Sequence, residues 1–194
     1  MTVYGLLTKP SNLATFYEVI SIAFAMNLIL IGMNHKTAPV AIREKLSLSC
    51  LNTVDPIADM MQIPCVKEAM YLSTCNRVEA LAHATEGAEV VESLKKFIFY
   101  HGNLTPAELE KCLYVYFDHE AVRHLFRVAS SLDSLVMGEP QILGQVKDAY
   151  YRSVERQATG LVLNKVLHHA FRVAKRVRTE TAIAGNAVSV SYAA

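Results

Sequence analysis

The 194-residue sequence has almost no net charge: 19 Lys and Arg face 18 Asp and Glu, a formal +1. That excludes a uniformly basic coat, so any contact with nucleic acid must come from a local patch. Eight glycines and six prolines are too few for collagen-like or low-complexity material. None of those glycines falls into G-x-G-x-x-G or G-x-x-x-x-G-K-[ST] spacing, so no nucleotide-cradling loop is legible. Cysteines occur only at 50, 65, 75 and 112, with no C-x-x-C pair and no histidine at zinc-finger distance. A metal site is therefore not expected, nor is a disulfide framework in a chain this long. Reduced thiols and a cytoplasmic setting are the plain reading. Leu13 to Met33 is largely apolar, but Glu18, Ser21 and Asn27 break it below a clean membrane span. Ala23-Phe24-Ala25 imitates a leader-cleavage site, yet Lys9 is the sole preceding cation and Glu18 sits inside the run. Residues 1–26 read instead as an N-terminal extension, with Met26 as the natural start.

What is present is a folding core. The chain is 52% hydrophobic and only 19% charged, which excludes an intrinsically disordered protein. Asn27 to Met33 is a short branched-aliphatic run that reads as a central strand. Turn residues Asn34 to Pro39 follow, then a short helix over Val40 to Leu46 and a second helical stretch at 51–63. Glu68–Leu72 and Val78–His83 read as strands around the polar elbow Ser73–Arg77. Glu86–Tyr100 carries helical periodicity, and Leu113–Phe117 is a fourth strand. The order strand, helix, strand, strand, helix, strand predicts an α+β fold, a ferredoxin-like split βαβ unit. A helical subdomain follows: a helix N-capped by Asp118 and running through Ala129, one beginning near Pro140, and one over Leu161–Thr181. Residues 187–194 look like the opening of another helix.

Four places could carry chemistry. In Ser73-Thr74-Cys75-Asn76-Arg77 a strand delivers a thiol into a polar turn beside a guanidinium, which favours the nucleophilic thiolate. The alternative is a half-buried structural cysteine. His124 shares the inward face of its helix with Ala121, Leu125 and Val128, as either a core histidine or a proton-transfer group. Ser134, Glu139, Gln141 and Gln145 crowd polar groups into an otherwise apolar stretch, as a ligand-pocket wall or a solvated, capped helix face. Lys165, His168, His169, Arg172, Lys175 and Arg176 form a cationic stripe with no acid between Lys165 and Arg178. It is either a phosphate-backbone contact or a solvated face.

Several long words of the sequence, in order, resemble the glutamyl-tRNA reductase family. They are Gly32-Met33-Asn34-His35-Lys36-Thr37-Ala38-Pro39 with Arg43-Glu44, then Leu72 to Arg77, Ser131 to Gln145, Ala174 to Thr181 and Ala187 to Tyr192. The resemblance implies that residues 27–181 are a glutamyl-tRNA-binding catalytic domain. It further implies that 182–194 begin a connecting helix toward an NADPH domain, which, with the dimerisation domain, has no counterpart in this chain. By resemblance, Cys75 attacks the aminoacyl ester to give a thioester, and NADPH reduces it to glutamate-1-semialdehyde, the first step of five-carbon tetrapyrrole synthesis. His124 is then the activity-linked histidine, with Thr74, Asn76, Arg77, Ser134, Glu139, Pro140, Gln141 and Gln145 at substrate-binding positions. Charge complementarity suggests Arg77 as a fork for the substrate carboxylate and Glu139 as the partner of its ammonium. Implied partners are glutamyl-tRNA(Glu), a downstream aminomutase and, in the full-length family, a second copy. For this chain alone the expectation is self-acylation and slow hydrolysis. The competing readings are a tRNA- or protein-binding fragment without catalysis and an unrelated cysteine redox protein.

Overall fold

A computed structural model describes residues 27–49, 55–85, 87–102 and 105–184. The N-terminal extension, the first part of the expected 51–63 helix and the 187–194 run lie outside these described residues. The elements are β1 (Leu28–Asn34), α1 (Val40–Ser49), α2 (Pro56–Met61), β2 (Val66–Ser73), β3 (Arg77–Ala84), α3 (Gly87–Gly102), α4 (Pro106–Cys112), β4 (Tyr114–Phe117), α5 (Asp118–Ala129), α6 (Gln141–Glu155) and α7 (Leu161–Glu180), closed by a 3-10 turn at Ala182–Ala184.

The four strands form one antiparallel sheet in the order β2-β3-β1-β4. That order is what a split βαββαβ chain produces: β3 inserts between β1 and β2, and the second helical crossover returns β4 to the far side of β1. Strand alternation sorts the core into two halves. Leu28 and Leu30 join Leu125, Val146 and Leu167 on one side of the sheet. Ile29, Ile31 and Met33 join Leu46, Met60 and Leu94 on the other. All seven residues of β1 are buried, which explains why it reads as a continuous apolar run rather than an alternating one. The C-terminal helices α5 to α7 therefore do not trail after the sheet. They form its second covering layer.

One local expectation is corrected, and another, the helix beginning near Pro140, is met. Asp118 does not cap α5: the cap position is Phe117, which makes no side-chain cap bond. The Asp118 carboxylate instead accepts the Leu28 amide at 2.9 Å, satisfying the first N–H of β1 where β4 ends. Pro140 sits one position outside α6, at its cap with φ −73°, and Gln141 is the first helical residue.

Gly32 is required by packing. A Cβ there would lie 2.5 Å from the Val78 carbonyl and 2.7 Å from Cγ of Glu79, its cross-strand partner. Gly32→Ala is expected to cost about 2–3 kcal/mol, because rigid sheet backbone must yield. A urea unfolding midpoint unchanged from wild type would contradict this.

The start of α7 is held from a distance. The buried Glu68 carboxylate of β2 accepts the amides of Gly160 (2.8 Å), Val162 (3.0 Å) and Leu163 (2.7 Å). It thus serves as the helix cap that Gly160 cannot supply, at the positive end of the helix dipole. Glu68→Ala should lower stability by roughly 2–3 kcal/mol, since three donors, two of them buried, lose their acceptor. Hydrogen exchange at the first turn of α7 should rise with it; unaltered protection there would show that the cap is dispensable.

Candidate active site

The polar elbow expected at Ser73–Arg77 is the tight connection between β2 and β3. Thr74 fastens it: its N–H donates to the Arg77 carbonyl at 2.9 Å, and its Oγ1 accepts the amides of Asn76 (3.2 Å) and Arg77 (3.1 Å). Arg43 of α1, itself buried, clamps the tip from below. Its Nη1 donates to the Cys75 carbonyl and to Asn76 Oδ1 (3.2 Å), while its Nε donates to the Ala38 carbonyl at 3.2 Å. The His35 amide adds a bond to the Asn76 carbonyl at 2.9 Å. The turn backbone is thereby fixed, and the Cys75 side chain is left exposed. A held backbone carrying an accessible sulfur is the geometry a nucleophile needs.

Thr74, Cys75, Asn76 and Arg77 line one cleft together with Ser134, Glu139, Gln141, Ile142 and Gln145. Two chain segments, 74–77 and 134–145, thus converge on the sulfur. The loop before α6 is shaped by Gly138, whose φ of +87° and close approach to the Ile183 carbonyl leave no room for a side chain. Gly138 N–H donates to the Ser131 carbonyl at 3.0 Å, and Ser131 Oγ donates to the Glu139 carbonyl at 2.7 Å. Ser134 Oγ is buried and has no partner among the described residues, so it is a hydrogen-bonding position open to a ligand. The cleft is narrow, with about 20 Å³ of free space, and a glutamyl-sized group requires its walls to part. Pro140 is not among the residues lining it.

Arg77 corrects the carboxylate fork expected from charge. It is 1% exposed, and both terminal nitrogens are committed internally. Nη1 meets Glu79 at 2.6 Å, and Nη2 meets the Asp133 carbonyl at 2.6 Å and the Asp133 carboxylate at 3.3 Å. Arg77 is the post on which the elbow and the 131–139 loop are joined. Burial is the largest influence and opposes its charge, but Glu79, Tyr114 and Asp133 together outweigh it and hold the guanidinium above its usual value.

His124 is drawn into the same buried system from the far side. Its Nε2 lies 2.7 Å from Glu79 Oε1, the oxygen that also accepts from Tyr114 Oη at 2.5 Å. Burial would raise the Glu79 pKa, yet Arg77, His124 and Tyr114 together hold it down to about 2. An ionised carboxylate only accepts, so Nε2 of His124 carries the hydrogen in this pair. The structure does not bring His124 into the cleft of Cys75. It lines a separate cavity of about 310 Å³ with Tyr114, Tyr116, Lys36, Arg127 and Asp133. Burial and the charge of Glu79 raise the Tyr114 phenol, which stays protonated as a donor. Burial opposes ionisation of Asp133, but Lys36 at 2.5 Å and Arg77 keep its carboxyl below the usual range.

Sequence reasoning singled out neither Glu79, Asp133, Tyr114 nor, as a clamp, Arg43. Glu79 carried a signal, a lone acid inside the apolar strand Val78-Glu79-Ala80-Leu81-Ala82, because a charge buried in a strand needs partners. No group of three or more metal-ligating side chains gathers among the described residues. Among the described residues the sheet is wholly antiparallel, and no strand, glycine loop and helix form a dinucleotide phosphate cradle. No helix among the described residues is long and apolar enough to cross a membrane.

Fold and site together define a ferredoxin-like domain that presents an exposed thiol on its β2–β3 hairpin, backed by a buried Arg–Glu–His system. The chain belongs to the glutamyl-tRNA reductase family: the family model described as "Glutamyl-tRNAGlu reductase, N-terminal domain" matches residues 31–181. The glutamyl-tRNA reductase of Syntrophus aciditrophicus is 62% identical over 171 residues, covering 87% of this chain and 40% of that relative. The glutamyl-tRNA reductase of Geotalea uraniireducens is 50% identical over 169 residues, covering 87% and 39%. Among solved structures, glutamyl-tRNA reductase from Methanopyrus kandleri superposes with a TM-score of 0.69 at 33% identity, covering 84% of this chain and 37% of that one. The chain therefore spans about 40% of the length of the curated relatives it matches.

Proposed function

We propose that residues 27–181 are an acyl-accepting domain in which Cys75 takes the glutamyl group from glutamyl-tRNA. The Cys75 sulfur, as thiolate, attacks the carbonyl carbon of the ester. A C–S bond forms, the C–O bond to the terminal ribose breaks, and the ribose oxygen takes a proton. The product is a thioester, a better hydride acceptor than the ester it replaces. The observation that carries this reading is the exposed Cys75 on a turn fixed by Thr74 and Arg43, facing the polar wall of Ser134, Glu139, Gln141 and Gln145. Glu139 is the carboxylate for the substrate ammonium, Ser134 and the two glutamines are neutral hydrogen-bonding partners, and Pro140 sets where α6 begins. Thr74 and Asn76 hold the sulfur's approach. His124 lies beyond Arg77 and Glu79, so its role is to stabilise and orient the acylating turn through that pair.

The family is one of reductases, and in the longer relatives NADPH would supply hydride to the thioester. The residues described here account for acylation, and no hydride step is assigned to them. Glutamate-1-semialdehyde, its entry into tetrapyrrole synthesis, transfer to an aminomutase and dimer formation belong to this same reading of the longer relatives. The test is incubation of the chain with charged glutamyl-tRNA followed by intact-mass measurement and peptide mapping. A hydroxylamine-labile glutamyl adduct on Cys75 is expected. Absence of an adduct, or an adduct elsewhere, would overturn the proposal, and oxidation by peroxide without acylation would favour a redox cysteine instead.

A further inference from the structure

The cationic stripe of α7 is resolved by the fold into a narrower feature. Arg176 pairs with Glu180 at 2.7 Å, His169 is half-buried, and Lys165 stands outside the groove. His168, Arg172 and Lys175 instead meet Lys147 of α6 in a single groove of about 370 Å³, floored by Leu143 and Phe171. Lys147 Nζ lies 5.9 Å above the Phe171 ring, which holds it over the groove. No acid lines the groove, and Lys147, Arg172 and Lys175 make no ion pair among the described residues. Three uncompensated cations in one cleft repel each other, on a chain whose whole net charge is +1. An anion with several charges removes that repulsion.

We infer that this α6–α7 groove is a seat for the sugar–phosphate backbone of RNA, separate from the cleft of Cys75; the inference rests on the acylation reading for the identity of the polyanion. The two sites share α6. Gln141 and Gln145 face the Cys75 cleft, while Leu143 and Lys147, about half a turn round the helix, face the groove. From Gln141 to Lys147 the axial rise is about 9 Å, so a strand whose 3′ end reaches Cys75 can pass over α6 and lay phosphates between Lys147, Arg172 and Lys175. Phosphate contacts of this kind position an RNA without reading its sequence.

The test uses the full chain. Uncharged tRNA(Glu) binding is measured across a salt series for wild type, Lys147→Ala, Arg172→Ala and Lys147→Ala/Arg172→Ala, with Arg172→Lys as the charge-keeping control. In parallel, Cys75 acylation is timed with glutamyl-tRNA and with glutamyl thiobenzyl ester, a donor without nucleotide. Each alanine should flatten the salt slope by roughly one unit. The double variant should bind at least tenfold more weakly, and its rate with glutamyl-tRNA relative to the thiobenzyl ester should fall at least tenfold. Arg172→Lys should restore both. Unaltered affinity, or weaker binding with an unaltered slope, overturns the seat. So does wild-type binding to phosphatidylglycerol vesicles as tight as to tRNA at equal salt. Salt-sensitive tRNA binding without any Cys75 adduct would leave the seat standing and remove the acylation reading.

Discussion

Glu79→Ala should cost about 3–5 kcal/mol, a large part of the ~5–15 kcal/mol that stabilises a domain of this size. The carboxylate is 3% exposed and accepts from Arg77, Tyr114 and His124 on one oxygen. Removing it strands a guanidinium that is 1% exposed, with only Asp133 left, and orphans a buried phenol and imidazole. The loss is larger than the net worth of the ion pair, because an uncompensated charge stays behind in a low-dielectric site. Urea unfolding of wild type and variant measures it; a difference under about 1 kcal/mol would mean that Arg77 finds water instead. The same carboxylate gives the fold an acid limit. Its pKa falls from an ordinary 4.5 in the unfolded chain to about 2 in the folded one. A depressed carboxyl pKa contributes stability that is fully present above about 4.5 and is lost as pH falls toward 2. The acid-unfolding midpoint of Glu79→Gln should therefore lie higher than that of wild type.

Cys75→Ser should leave the unfolding midpoint within error and reduce glutamyl-adduct formation by at least about a thousandfold. The two effects separate because the side chain is exposed, while Thr74, Arg43 and His35 hold the turn through its backbone and the Asn76 side chain. A serine hydroxyl is a far weaker nucleophile than a thiolate, and the imidazole of His124 that could activate it is turned into Glu79, in a different cavity. Retained acylation in the serine variant would place the nucleophile elsewhere. A destabilised variant would show that the thiol packs more than its exposure indicates.

How legible the molecule is from its residues depends on the range of the forces involved. The strands of the split βαβ unit and the helices that follow it are visible in period and turn chemistry, because those are local. The elbow at Cys75 and the polar cluster around Ser134 to Gln145 are visible as chemistry out of place in apolar surroundings. Their meeting in one cleft was reached only through the resemblance, not through any spacing. Asp118 misleads because its cap pattern is local, whereas the orphan amide it satisfies, that of Leu28, lies 90 positions away. Arg77 misleads in part for the same reason: its charge suggests a ligand, but Glu79, two residues on in its own strand, and Asp133, in a loop 56 residues on, take its terminal nitrogens.

The sequence by itself determined the periods, the scarcity of net charge, the placement of one thiol in a turn and the family. Tertiary structure alone decided that His124 and Cys75 stand in different cavities, that Arg77 is a buried post rather than a substrate fork, and that three cations from two helices share a groove. The reason is physical: periodicity and turn formation are set within a few residues, whereas burial decides which charges keep water and which must find each other.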